Sequence, residues 1–318
     1  MQITRREMLA ALGTASSLSA AKSKPMRGAF IIMATPFTES KAVDYEDLAN
    51  EVKFLHRCGV HGMVWPQMAS EYATLTKEER LRGMEVLVKA AKRKKPALVL
   101  GVQGANTDEA LVFLRHAERL GPDAVISMPP TEAKNLDDYR RYYGTLARET
   151  RRPFFIQTTG GAKGVTPTVE FLVELAKEHP HLGYIKEETP PVIRRLKQMA
   201  AHRPVIKSLF SGAAGREMMF EMRLGFDGTM PGAPYADFYA QIWDSFQGGR
   251  KERAREIFSK LLLLINIEQQ IQGTRPYVMK KRGVFKTTVS RRNPATVPPE
   301  GMAEIDAILD LAKPYLRV

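Results

Sequence analysis

The amino-acid sequence predicts an α/β protein, a (β/α)8 barrel with a C-terminal helical extension. Three observations carry that reading. Short, continuous apolar runs recur along the chain, the pattern of parallel strands buried on both faces. Between them lie stretches with helical spacing of apolar residues. Eight such units fit into about 210 residues, the size of a closed barrel.

The first strand is AFIIMATPF, directly after Gly28. Asp44 is placed to cap a helix that carries Leu48, Val52 and Leu55 on one face and ends near Gly59. GMVWPQ is the second strand, and the capping box Thr76-Lys77-Glu78-Glu79 opens a helix to about Lys94. ALVLGV is the third strand, followed by a helix from Thr107 to Leu120. AVISMPP (124–130), FFIQTT (154–159), LGYIKEE (182–188), VIKSLFSG (205–212) and GFDGTMPGA (225–233) supply the remaining five. From about Tyr235 the chain is largely helical, and IFSKLLLLINIEQQI has the apolar density of a helix packed on its neighbours or on another subunit. Residues 24–234 therefore form the barrel, and 235–318 its last helix and the extension of the same domain. A doubly wound sheet would carry a G-x-G-x-x-G turn after an early strand, and none is present. Gly160-Gly161-Ala162-Lys163-Gly164 lacks phosphate-loop spacing.

Composition removes several function classes. The 318 residues are 44% hydrophobic and 26% charged, which excludes fibrous and disordered chains. A single cysteine, Cys58, excludes a disulfide framework and a cysteine-based zinc cluster. No uncharged run approaches the ~20 apolar residues that span a bilayer, so no membrane span is expected. The net charge is +13, but the basic residues are scattered and no aromatic-interleaved stripe emerges, so nucleic acid is not an expected partner. Residues 1–23, MQITRREMLAALGTASSLSAAKS, place a charged start before an Ala-rich apolar stretch and small residues, the order of an export signal. Thr4-Arg5-Arg6-Glu7-Met8-Leu9 resembles a twin-arginine motif, which sends folded proteins to the periplasm; without such a signal the chain would be cytoplasmic. His56 and His61, and His179 and His181, lack the spacing of a metal face, and no residue set implies a metal, flavin or nicotinamide cofactor.

Catalytic groups of a barrel sit at the C-terminal ends of its strands. The polar residues there are Thr35, Gln67, Ser70, Glu71, Gln157, Thr158, Lys186, Glu187, Glu188 and Ser211. Lys186 stands out because it follows the core-strand run Leu182-Gly183-Tyr184-Ile185. A lysine there either reaches the rim, the commoner fate, or sits inside the barrel, where desolvation makes it a nucleophile toward carbonyl compounds.

Several segments together resemble the dihydrodipicolinate synthase / N-acetylneuraminate lyase family of Schiff-base barrel enzymes, and the likeness runs from Gly28 onward. They are Ala34-Thr35-Pro36-Phe37, the run Glu71-Tyr72-Ala73-Thr74-Leu75-Thr76-Lys77-Glu78-Glu79-Arg80, Gly183-Tyr184-Ile185-Lys186-Glu187, Ser211-Gly212 and Leu224-Gly225-Phe226-Asp227-Gly228. The resemblance implies that Lys186 forms an imine with pyruvate or a related 2-oxo acid, which then acts as an electron sink for aldol-type cleavage or condensation. It also implies a homo-oligomer, a dimer or tetramer. The family's Gly-Thr-Thr-Gly-Glu loop is here Gln67-Met68-Ala69-Ser70-Glu71, and its strand-5 tyrosine falls on Gln157, an amide that cannot transfer protons near neutral pH. The aromatic pair after strand 4 falls on Pro130-Thr131, and the carboxylate-binding arginine falls near Ala162, with Lys163 as a shorter substitute. These departures argue against dihydrodipicolinate synthase activity itself. Expected substrate contacts are Ser70, Glu71, Gln157, Thr158, Lys163, Glu188, Ser211 and Gly212. Glu188 or Glu71 is the expected replacement acid/base, against the alternatives of a solvated rim residue and a loop brace. The rival to a lyase or aldolase is a degenerate relative that binds a small anion without turnover.

Overall fold

The computed structural model of the chain describes residues 23–292 and 296–318. The expected signal over 1–23 lies, except for Ser23, outside the described residues. Eight parallel strands close into a barrel in chain order: β1 Gly28–Ile32, β2 Gly62–Trp65, β3 Ala97–Gly101, β4 Ala124–Ser127, β5 Phe154–Gln157, β6 Tyr184–Glu187, β7 Ser208–Ser211 and β8 Gly228–Thr229. Strand β8 is shorter than the run 225–233 suggests, and β6 begins only after a 3-10 turn at Pro180–Leu182. The strands keep their apolar cores, while the flanking Gly, Pro and Asp residues turn into loops.

The helices outside the barrel are α1 Tyr45–Cys58, α2 Lys77–Ala91, α3 Thr107–Leu120, α4 Leu136–Glu149, α5 Val169–Glu178, α6 Val192–Ala200, α7 Met218–Arg223 and α8 Ala236–Gln247. The extension adds α9 Lys251–Gln270, α10 Thr274–Lys281 and α11 Pro299–Ala312. The caps read from sequence form: the Asp44 side chain accepts from the amides of Glu46 and Asp47, and Thr76 and Glu79 make a reciprocal capping box. Helix α2 ends three residues before Lys94, at Ala91. None of the helices among the described residues is long and apolar enough to cross a membrane.

Strand alternation sorts side chains into two cores. Outward residues such as Ile31, Trp65, Leu100, Phe154, Ile185 and Leu209 pack against the helices. Inward residues Phe30, Ile32, Val64, Val99, Ile126, Phe155, Phe210 and Met230 fill the barrel. Phe210 lies 5.0 Å from Phe30 and 5.3 Å from Phe155, ring centre to ring centre, and Phe155 lies 5.4 Å from Tyr184. This aromatic layer is the floor on which the polar residues of the mouth stand.

Candidate active site

Register places the central group. Gln157 of β5 pairs with Lys186 of β6, and Lys186 pairs with Phe210 of β7, so the three lie at one level and share the inward face. Lys186 is 2% exposed, which decides between the two readings of this residue: the lysine is inside the barrel, not at the rim. Its Nζ donates to Gln157 Oε1 at 2.9 Å and stands 3.1 Å from Glu188 Oε1. The other Glu188 oxygen accepts from the Thr159 hydroxyl at 2.8 Å, and the Gln157 amide donates to Thr159 Oγ1 at 3.3 Å. The four side chains form one closed circuit around the amine. Burial acts to raise the Glu188 carboxyl, but the Lys186 charge and the two hydrogen bonds outweigh it and hold the carboxyl below its usual range. Lys186 and Glu188 thus rest as an ion pair.

The loop after β7 covers this circuit. A Cβ on Gly212 would fall 1.9 Å from the same Glu188 Oε1 that meets Lys186, so only glycine lets the carboxylate lie there. Ala213 and Ala214 follow with φ of 42° and 54°, the left-handed region that alanine adopts at a cost, and they turn the chain back across the mouth.

The outward face beside the site is a separate brace. Glu187 accepts from the Thr158 hydroxyl at 2.5 Å, from the Thr189 amide at 2.6 Å and from Arg195 of α6 at 2.9 Å. The Thr158 hydroxyl also accepts from the Glu188 amide at 3.0 Å, which fixes where Glu188 leaves the strand. Ser211 also faces out, donating at 2.6 Å to Glu221 of α7. Burial pushes the Glu221 carboxyl up to about 7, with Glu217 adding to the effect and the Ser211 hydrogen bond opposing it.

Four expected substrate contacts are therefore corrected. Thr158 and Ser211 stand on the outward side of their strands, because alternation turns the neighbours of Gln157 and Phe210 away from the barrel. Ser70 is fully buried, its hydroxyl donating to Met33 O at 2.5 Å and accepting from the Gln67 amide at 3.0 Å, so it has no proton left for a ligand. Glu71 is a loop brace: its oxygens accept from the Ser290 hydroxyl and from the amides of Arg291 and Arg292. Lys163 is exposed on the loop after β5. Gln157, Glu188 and Gly212 do meet around Lys186. Sequence reasoning missed Thr159, which strand alternation from Gln157 would have pointed to. It also missed the walls from the extension, for which spacing gave no signal.

Those walls enclose a cavity of about 320 Å3 over the β1–β2 side of the mouth. Thr35 and Ala69 lie at its inner end, and Arg216, Glu268, Arg275 and Arg292 line its outer part. Lys186 and Glu188 are not among its walls; Ala214, two residues beyond the Gly212 that meets Glu188, is. The Thr35 hydroxyl is held, donating to Ser70 O at 2.5 Å and accepting from the Trp65 indole at 3.0 Å. Elsewhere, burial pushes the Cys58 thiol up to about 12, which leaves it unreactive. Among the described residues no group of three or more His, Cys, Asp or Glu side chains is arranged to hold a metal ion.

Comparison with known proteins agrees with the fold. A profile of the Dihydrodipicolinate synthetase family matches residues 25–311. The chain is 27% identical over 288 residues to a 4-hydroxy-tetrahydrodipicolinate synthase of Rhizobium meliloti (strain 1021), covering 89% of this chain and 97% of the relative. It is 25% identical over 293 residues to an L-2-keto-3-deoxyarabonate dehydratase of Azospirillum brasilense, covering 89% and 93%. The crystal structure of dihydrodipicolinate synthase from Rhodopseudomonas palustris superposes with a TM-score of 0.80 at 22% identity, over 89% of this chain and 97% of that one, a likeness of fold.

Proposed function

The chain belongs to the dihydrodipicolinate synthetase family and is a lyase of that family, and on this premise we propose that it forms a Schiff base between Lys186 and pyruvate or a related 2-oxo acid. The observation that carries the proposal is a lysine buried on the inner face of the barrel, its Nζ held between an amide oxygen and a carboxylate. Glu188 is the group beside Nζ that can take its proton, which frees the lone pair for attack on the keto carbon. The carbinolamine then loses its oxygen as water, with Glu188 returning the proton, and a protonated imine remains beside the carboxylate. That cation draws electron density from the adjacent carbon, so a carbon–carbon or carbon–oxygen bond there can break or form. Gln157 orients Nζ but transfers no proton. Thr159 fixes the carboxylate and not the substrate.

Without the two loop threonines and the strand-5 tyrosine, dihydrodipicolinate synthase activity itself is not part of the proposal. Leu262 and Leu263, exposed on α9, support a homo-oligomer as its working form. Borohydride reduction of the protein with pyruvate tests the central claim. A stable mass adduct mapped to Lys186 in the wild type and missing from Lys186→Ala is the expected result. No adduct with pyruvate or any other 2-oxo acid refutes the proposal and favours ligand capture without turnover.

A further inference from the structure

We propose that the cavity between the mouth and the C-terminal extension is an anion subsite, and that it holds a second carboxylate at the end of the substrate remote from the keto carbon. This rests on the Schiff-base reading above and narrows it to dicarboxylic 2-oxo acids. The residues assigned are Arg216, from the loop after β7, and Arg292, from the segment beyond α10, with Arg275 of α10 as their neighbour.

The charge count favours an anion. Three arginines and two carboxylates line the cavity. Arg275 and Glu268 cancel each other in a pair at 2.6 Å. Glu71 is already wrapped by three donors, the Ser290 hydroxyl and the amides of Arg291 and Arg292. Arg216 and Arg292 have no carboxylate within ion-pair distance among the described residues. With the Gln269 amide oxygen turned toward it, the three Arg216 guanidinium nitrogens lie 2.8, 3.0 and 3.2 Å from that neutral oxygen, whose two lone pairs cannot engage all five N–H groups. One Arg292 nitrogen donates to the Met68 carbonyl at 3.0 Å, which anchors the side chain at the cavity without neutralising it. A guanidinium offers five N–H donors, so both keep donors for a ligand.

Position ties the cavity to the reacting lysine. Ala69, at the inner end, packs against the inward-facing barrel core on which Lys186 stands. Ala214 lines the cavity and lies two residues beyond Gly212, which touches Glu188. The Arg275 guanidinium lies 3.7 Å from where a Gly232 side chain would begin, at the β1–β8 seam of the mouth. On this proposal a ligand held at Lys186 extends past the Glu188 carboxylate into this space, whose volume of about 320 Å3 is room for a short chain ending in a carboxylate. The loop after β5 carries one basic side chain, the exposed Lys163, whereas the cavity wall carries three arginines.

Two measurements on the full chain test the subsite, comparing wild type with an Arg216→Gln/Arg292→Gln variant. The first is the concentration of pyruvate, 2-oxoglutarate or 2-oxoadipate that gives half-maximal borohydride trapping. A dicarboxylic acid is expected to trap at concentrations about 10- to 100-fold lower than pyruvate. The variant should lose that advantage and leave the pyruvate value within about twofold. Equal values for mono- and dicarboxylic acids in the wild type, or an equal loss for both in the variant, overturn the proposal. The second is calorimetric titration with glutarate, which has no keto group and cannot form an imine. Binding that is lost in the variant and competes with pyruvate trapping upholds the subsite. Absence of binding, or binding unchanged in the variant, overturns it. Binding that leaves pyruvate trapping unaffected assigns the cavity to a separate anion and overturns the substrate-end assignment. Should no 2-oxo acid be trapped, the Lys186 reading fails by itself, and glutarate binding lost in the variant still upholds an anion site.

Discussion

Exchange of the methyl protons of pyruvate with solvent deuterium isolates the step assigned to Glu188. The exchange needs an imine at Lys186 and then a base at the neighbouring carbon, and it needs no knowledge of the physiological substrate. Glu188 Oε1 lies 3.1 Å from Nζ. In an imine of pyruvate the methyl carbon is two bonds from Nζ, about 2.5 Å away. A carboxylate at this position therefore reaches the methyl hydrogens with only a small swing, at the roughly 3 Å separation of a reactive contact. Removing a positioned general base raises the barrier by roughly 3 to 5 kcal/mol, which is about 10²- to 10⁴-fold in rate. Glu188→Gln keeps the shape and the Thr159 contact but cannot hold the proton. Nuclear magnetic resonance of the methyl signal in deuterated buffer should show exchange slowed by that factor, while borohydride still traps pyruvate on Lys186 after longer incubation, because the same carboxylate also serves imine formation. The variant also leaves a buried ammonium without its carboxylate, at a cost of about 3 to 5 kcal/mol in stability, so near-ultraviolet circular dichroism must first show it folded. An exchange rate within about threefold of wild type, on folded protein that still forms the imine, would refute the assignment.

Gly212→Ala should act through Glu188. Its Cβ meets the Oε1, Cγ and Cδ atoms of that side chain, which must swing away. Exchange is expected to fall toward the Glu188→Gln rate, with no further loss when the two changes are combined; losses that multiply would place Gly212 in an independent role. Glu221→Gln should change the pH dependence of stability. The folded carboxyl holds its proton up to about 7 and the unfolded one only to about 4.5, so wild-type stability is full below 4.5 and declines as pH rises to 7. The decline from this group amounts to about 3 kcal/mol. Urea unfolding at pH 5 and pH 8 should show the difference between the two shrinking by up to that amount in the variant, and an unchanged difference would contradict the shift assigned to Glu221. In the acid range Glu188 acts with the opposite sign. Its carboxyl is held low in the fold, so the stability it supplies is present above the ordinary carboxyl range and is lost as pH falls through the depressed value. Glu188→Gln should therefore flatten the acid limb of the urea midpoint, and a limb as steep as wild type would count against the ion pair.

The barrel was legible because its signal is local. Continuous apolar runs mark strands buried on both faces, and Asp44, Thr76 and Glu79 mark helix starts through contacts made within one turn. Strand ends were less legible. Where β6 and β8 stop depends on which neighbour pairs with them around the closed sheet, as β8 does with β1 and β7.

In the site, residue order alone establishes that a lysine stands at the end of a core strand and that an acidic residue follows two positions later. It could not decide whether that lysine lay inside or at the rim, since both fates suit the same residues. The closure of the barrel decided it, by setting Gln157, Lys186 and Phe210 at one level around an aromatic floor. Tertiary structure alone also separated the hydroxyls. Ser70, Thr158 and Ser211 are polar residues at strand ends, yet each satisfies a buried carbonyl or carboxylate, because an unpaired polar group there would be costly. Between Glu71 and Glu188 the decision came from distant chain. Residues 290–292 return over the mouth to occupy Glu71, while Gly212, more than 20 residues beyond Glu188, leaves the space in which that carboxylate meets the amine.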